Sequence, residues 1–214
     1  MNALFITFEG LDGSGKSTHL RRAAAWMEAR GLEVRTTQEP GGTPLGEAIR
    51  GVFLDPRWEQ LDGRVEALLV FASRRQHLLE VIEPSLAAGH HVLCDRFTDS
   101  TRVYQGTARG QAQGWIEDLD RLATGGRRPD VTLLFDLPPE VARTRGQSAK
   151  RRARGLDRLD VEDLEFYRRV REGYLELLRR QPQRFRRIDS SGAAEATWAQ
   201  VEAALAEILG AGGR

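Results

Sequence analysis

The segment Gly10-Leu11-Asp12-Gly13-Ser14-Gly15-Lys16-Ser17 carries glycine, lysine and hydroxyl residues at the spacing G-x-x-x-x-G-K-[ST]. The apolar run Ala3-Leu4-Phe5-Ile6-Thr7-Phe8 enters it and the helix-patterned Thr18–Trp26 leaves it. This arrangement is a phosphate loop. Gly10, Gly13 and Gly15 let the backbone turn, and Ser14, Gly15 and Thr18 bring N–H groups toward phosphate oxygens. The following helix adds positive partial charge at its N-terminus, Lys16 reaches the terminal phosphates, and the Ser17 hydroxyl is a ligand for Mg²⁺. A glycine-rich turn with a chance lysine would lack the strand before and the helix after.

Such a loop sits between a parallel strand and its crossover helix, and the rest of the chain repeats that alternation. Strands are predicted at Ala3–Phe8, Glu33–Thr37, His91–Asp95, Val131–Leu137 and Phe185–Asp189. Helices are predicted at about Ser17–Arg30, Leu45–Phe53, Gly63–Ala88, Gln111–Thr124, Pro139–Arg145, Val161–Arg180 and Ala193–Leu209. The expected fold is α/β, with a five-stranded parallel sheet between two helical layers and a single domain over residues 1–214. In Gly63–Ala88, Val65, Leu68, Leu69, Ala72, Leu79, Ile82 and Leu86 share a face, which the pattern assigns to the core. Ser148–Arg158 is rich in arginine and poor in apolar residues.

A net charge of +1 argues against a nucleic-acid surface held by bulk electrostatics. The one cysteine, Cys94, has no partner for an intramolecular disulfide, and Val92-Leu93 beside it suggest burial. No apolar run reaches membrane-spanning length and the N-terminus lacks a basic secretory start, so a cytoplasmic protein without membrane contact is expected.

A phosphate loop alone serves switches, motors and kinases. The N-K-x-D guanine signature of GTPases is absent, and so is the paired acid that ends an apolar strand in large ATPases. Instead His91-Val92-Leu93-Cys94 leads to Asp95-Arg96-Phe97. An acid at a strand's C-terminal end beside the loop holds a Mg²⁺ water, so Asp95 joins Ser17 as a metal candidate. Arg96 would share that crevice. Charge magnitudes show what such an arginine is for. Two unit charges 4 Å apart at an effective dielectric near 20 repel by about 4 kcal/mol, and two phosphate dianions by up to about 16 kcal/mol. An enzyme joining two phosphorylated substrates therefore needs cations on both sides, and Lys16, Arg74, Arg96 and the arginine-rich stretch supply them. An ionised phosphate acceptor needs no general base, in keeping with the lack of an obvious one.

Taken together, "FEGLDGSGKST", "EPGGT", "CDRFTDSTRVYQG", "RRPDVTLLFDLPPEVARTR" and "GLDRLD" resemble bacterial thymidylate kinase along nearly the whole chain and in that family's order. The resemblance implies a three-layer P-loop kinase fold with a mobile lid at about residues 147–158, ATP as donor, dTMP as acceptor, Mg²⁺ as cofactor and a homodimer. It gives Asp12 the acceptor's 3′-hydroxyl and Arg96 the acceptor phosphate. Glu39 and Pro40 would border the nucleoside, and Ser100, Thr101, Tyr104 and Gln105 would line the thymidylate pocket, Tyr104 crowding a ribose 2′-hydroxyl. Arg74 would contact the thymine base and phosphate. Arg143, with Arg145, would flank adenine.

Three departures matter. The family's phenylalanine four residues before the base-contacting arginine is here Val70, with Phe71 beside it, so either Val70 or Phe71 meets thymine, or Phe71 pairs with Arg75. Gln38 replaces a common arginine before Glu39-Pro40-Gly41-Gly42-Thr43. Gly13 stands where one branch of the family has a catalytic arginine, so Arg151, Arg152 and Arg154 are the candidates to assist transfer from the lid. Asp157-Arg158 resembles the family's lid-closing pair. The alternatives are a kinase for another deoxynucleotide or a deoxynucleoside, and a non-catalytic nucleotide-sensing module.

Overall fold

The computed structural model describes residues 3–58, 60–153 and 157–211, except for the side chains of 149–153, 161 and 211. Five strands, β1 (Phe5–Gly10), β2 (Val34–Gln38), β3 (His91–Asp95), β4 (Val131–Asp136) and β5 (Phe185–Asp189), form one parallel sheet in the order β2-β3-β1-β4-β5. Fully buried β1 and β4 lie inside, whereas β2, with its exposed Arg35 and Thr36, is an edge. The chain moves from β1 to β2 and β3 on one side, then crosses to β4 and β5 on the other. That reversal opens a crevice at the carboxyl ends of β1 and β3, where Phe8 pairs with Asp95.

The period of two along β1 sorts its side chains between two layers. Ile6 and Phe8 face α1 (Lys16–Glu28) and α9 (Ala194–Ala211), packing with Leu20, Met27, Val201 and Leu205. On the other face Phe5 packs with Phe97 and Ile82, and Glu9 reaches Tyr174 of α8 (Leu164–Arg180). Cys94 is buried there as a free thiol.

α2 (Pro44–Leu54) starts where Thr43 Oγ1 accepts from Gly46 N at 2.9 Å with proline in the first turn. The long predicted helix is α3 (Gly63–His77), a π-helical turn (Leu78–Ile82) and α4 (Glu83–Ala87). Its expected core face is wrong over most of its length. Val65, Leu68 and Leu79 are 41%, 52% and 51% exposed, whereas Glu66, Ala67, Val70, Phe71, Ser73, Arg74 and His77 are buried; only Ile82, farther on, is fully inside. Hydrophobic periodicity assumes that the polar face meets water, and here that face lines the cleft.

α5 (Thr98–Thr101) and a π-helical turn (Arg102–Ala108), which the sequence does not predict, follow β3. Packing of Val103 and Gly106 overrides the weak helix propensity of this Thr/Ser/Gly-containing stretch. α6 (Gln113–Thr124) packs on α3. α7 (Pro139–Ala153) runs well beyond the expected Arg145 into the expected lid, its Ala, Arg, Lys and Gln being good helix formers. Arg154 lies outside the described residues.

Candidate functional site

Asp12, Lys16, Ser17, Glu39, Pro40, Val70, Arg74, Asp95, Arg96, Ser100, Thr101, Tyr104 and Gln105 line one cavity at the carboxyl ends of the strands. The sequence reading named all of them. Gln38, Arg50, Phe53, Leu54, Phe97, Asp157 and Leu159 complete the wall.

On the loop side, Gly10 has φ 141° and a Cβ there would stand 2.4 Å from Phe135 O. Gly13 has φ 84° and a Cβ would meet Ala142 O of α7 at 2.2 Å, so no side chain fits where one family branch carries arginine. Gly15, at φ 85°, caps α1, and Thr18 is exposed on its first turn. Ser14 is buried, its hydroxyl without a hydrogen-bond partner. Buried Lys16 lies 3.3 Å from Asp12 Oδ1 and 3.9 Å from Asp95 Oδ1. Burial, and then the charge of Arg96, lowers its pKa. Ser17 Oγ donates to Asp95 Oδ2, while buried Asp95 Oδ1 has no hydrogen-bond partner. A hydroxyl and a carboxylate with a spare oxygen suit an octahedral Mg²⁺ that takes its other ligands from phosphate and water. Among the described residues no group of three or more acidic, His or Cys side chains forms a metal cage.

On the opposite wall Arg96 has φ 73°, a left-handed conformation unusual for a side-chain-bearing residue. Its N–H donates to Phe8 O at 3.0 Å and its carbonyl accepts from the Cys94 thiol at 3.0 Å, which hold the backbone there. The guanidinium donates through Nη1 to Ser100 Oγ (3.0 Å) and Tyr174 OH (3.3 Å), and through Nη2 to Asp12 Oδ1 (2.5 Å) and Tyr104 OH (3.2 Å). Beneath it, Glu9 accepts from Phe97 N (2.8 Å), Ser100 Oγ (2.6 Å) and Tyr174 OH (2.7 Å). Burial, reinforced by Asp99, pushes the Glu9 carboxyl up to about 7.

Arg74 is buried. Its Nε donates to Glu39 Oε2 at 2.6 Å and its Nη2 to Phe97 O (3.1 Å) and Thr101 Oγ1 (3.0 Å). Nη1 has no partner. His77 grips the other Glu39 oxygen at 2.9 Å and Thr37 Oγ1 at 2.6 Å. Val70 lines the cavity. Phe71 does not; it packs with Ala67, Ile116 and Ala123 and under the Arg74 guanidinium, 4.8 Å from its ring. Arg75 points to Ala123 O, outside the wall. Gln38 bonds Glu47 at 3.3 Å, and Arg50, which donates to Pro40 O at 2.8 Å, brings the nearby cation.

Arg143 is half-buried on α7, with Nε unpartnered, and is not part of the cavity wall. Arg145 instead donates to Ser190 O and Ser191 O, both at 2.8 Å. Arg151 and Arg152 lie on α7 with undescribed side chains. Arg158 is buried, donating to Glu66 Oε1 at 2.6 Å and Phe53 O at 3.2 Å.

The sequence reading missed Glu9, Arg50, Glu66, His77 and Tyr174. The α3 members had a signal: Glu66, Ser73, Arg74 and His77 recur at helical spacing on one face. Glu9 and Tyr174 had none, because each is read only against its spatial neighbours.

The thymidylate kinase family model matches residues 8–201. Thymidylate kinase of Pseudomonas syringae pv. syringae is 47% identical over 98% of this chain and 96% of its own. That of Desulfosudis oleivorans is 45% identical over 96% and 97%. A crystal structure of thymidylate kinase from Ehrlichia chaffeensis superposes with a TM-score of 0.77 at 32% identity, covering 96% of this chain and 99% of that one.

Proposed function

The chain belongs to the thymidylate kinase family, and from that premise we propose how its cleft works as an ATP-dependent dTMP kinase. The reaction transfers the γ-phosphoryl of ATP to dTMP, giving dTDP and ADP. The carrying observation is the pair of cations, Lys16 and Arg96, that meet across Asp12. The donor triphosphate takes the loop, its N–H groups and Lys16; the acceptor phosphate takes Arg96. Asp12 holds both cations against their mutual repulsion until phosphates replace it, and then turns to the 3′-hydroxyl of the acceptor.

The acceptor phosphate is already a nucleophile, so catalysis lies in alignment and charge neutralisation. Arg96 is preorganised by Ser100, Tyr104 and Tyr174, which orient it without neutralising it. Val70 supplies the apolar contact to thymine, and Arg74 Nη1 donates to the base. Glu39 and Pro40 border the nucleoside, and Tyr104 crowds the 2′ position. Mg²⁺, held through Ser17 and Asp95, would withdraw charge from the donor phosphates. Residues 147–158 act as the lid, one of Arg151, Arg152 and Arg154 reaching the transferring group and Arg143 flanking adenine.

The whole chain works as one domain and pairs as a homodimer. The exposed apolar residues Val65 and Leu68 of α3 and Leu79 of the π-helical turn after it, with Leu45 and Val52 of α2 and Leu122 of α6, are the surface to be covered. Leu68→Asp should then sediment as a monomer, and a dimer unchanged by it would remove this face.

A coupled ADP-release assay with ATP and a panel of nucleoside monophosphates and deoxynucleosides tests the function. Turnover should be greatest with dTMP. Faster turnover with another acceptor, or ATP binding with no turnover on any, would refute it. No helix among the described residues is long and apolar enough to cross a membrane.

A further inference from the structure

Glu66, on the inward face of α3, is buried and is not part of the cavity wall, yet three side chains converge on it. Arg158 Nη1 donates to Oε1 at 2.6 Å, Arg109 Nη2 lies 3.2 Å from Oε1, and Gln105 Nε2 donates to Oε2 at 2.8 Å. Arg109 Nε reaches the same Oε2 at 3.4 Å. Arg109 is also tied to Glu162 at 2.5 Å, so it has a second anchor.

A carboxylate between two guanidiniums has only acceptor positions to offer. It therefore dictates which end of the Gln105 amide faces it. The NH₂ must turn to Glu66, and the carbonyl is left for the cavity that Gln105 lines. The two ends of an amide are alike in shape, and the chemistry of the partner tells them apart. The neighbouring wall offers Arg74 Nη1, a buried donor without a partner. At this end of the wall an acceptor, the Gln105 carbonyl, thus stands with a donor lacking a partner, Arg74 Nη1. That pattern complements a pyrimidine edge with an N3–H and a 4-oxo group; cytosine, with an unprotonated N3 and a 4-amino group, inverts both.

We infer that Glu66 is a specificity-determining positioning residue, which fixes the Gln105 amide so that the acceptor pocket accepts 4-oxo pyrimidines and rejects cytosine. The inference rests on the dTMP kinase reading. Glutamine at position 66 would reverse the code at one point. Arg158 at 2.6 Å and Arg109 Nη2 at 3.2 Å both require a carbonyl oxygen at the former Oε1, and they outweigh the 3.4 Å contact of Arg109 Nε with Oε2, so the new NH₂ takes the Oε2 position and turns the Gln105 carbonyl toward it. The Gln105 NH₂ then faces the cavity, matched to the cytosine N3.

The experiment measures kcat/KM for dTMP and dCMP in wild type and Glu66→Gln, with circular dichroism to establish folding. The dTMP-to-dCMP ratio should fall by about tenfold or more, the scale of one hydrogen bond exchanged for a mismatch. A folded Glu66→Gln enzyme whose two values drop together, at an unchanged ratio, overturns the inference and leaves Glu66 structural. If Glu66→Gln does not fold, Gln105→Met decides, since methionine offers the base neither donor nor acceptor. A lowered ratio supports the inference; an unchanged ratio overturns it, because Glu66 then has no carrier for its effect. Wild-type enzyme inactive on dTMP would instead refute the function itself, a distinct outcome.

Discussion

The glycine-rich loop, Gly10–Ser17, is one continuous segment that presents mostly backbone: glycine turns, N–H groups and a helix end, with Lys16 as its one cationic side chain. The side across Asp12 draws Glu9, Glu39, Arg96 and Arg158 from four different places in the chain and Glu66, Arg74 and His77 from α3, and it buries most of their charges in mutual contacts. A backbone cradle forms whenever its turn forms, and little else has to be desolvated. Buried ion pairs are different. Each adds little net stability, but losing one partner strands the other, at about 3–5 kcal/mol. Activity and stability should therefore separate on the loop and travel together on the wall.

The largest effect expected is on the loop. Lys16→Met should lower kcat by about a thousandfold, the scale of losing a charge-stabilising donor, without lowering Tm, since it removes a charge that burial disfavours. A Tm drop of several degrees would erase the contrast between the two sides. Arg96→Met should cost about a hundredfold or more in kcat/KM for dTMP while a fluorescent ATP analogue still binds normally. Equal losses in both would mean that Arg96 serves the donor.

Arg74→Met should raise KM for dTMP and destabilise the fold by about 3–5 kcal/mol, because Glu39 keeps its burial and loses its guanidinium. Unaltered denaturant unfolding would show that the wall tolerates a stranded carboxylate. Among the lid arginines, single alanine replacements of Arg151, Arg152 and Arg154 should include one with a large loss of turnover and little change in dTMP affinity. Three near-normal enzymes would take the lid out of the chemistry.

The smallest effect is a pH slope. Glu9 rises on folding from an ordinary carboxyl value to about 7, so the folded protein holds this proton more tightly than the unfolded chain. The stability linked to it is full below the unfolded value and fades as pH climbs toward 7, because the unfolded chain's carboxyl ionises over that range while the buried one stays protonated. Glu9→Gln should flatten thermal stability across pH 5–7 and loosen Arg96 through Ser100 and Tyr174. A parallel slope in wild type and variant would assign it to other groups.

How much was legible follows the same division. All five strands fall within two residues of their predicted ends, because each is a short run bounded by turns. The loop, Asp95 and Arg96 were legible because they adjoin one another or end a strand. The helix over Thr98–Ala108 was not, since its local propensity is poor and its packing supplies the order. On α3 the helix was right and its orientation wrong, for apolar Leu68 faces out while Glu66 and Arg74 face in. Of Val70 and Phe71, adjacent in sequence, only the fold sends one to the cavity and the other to α6.

By itself the sequence determined the α/β alternation, the phosphate loop and the two cations that must oppose each other, because these are encoded in contiguous spacing and in charge. Tertiary structure alone decided which face of α3 is inside, which oxygen of Glu66 meets Gln105, and that Glu9 lies under Arg96. Those choices depend on distances between residues far apart in the chain, where a buried polar group is stable only once its partners have arrived.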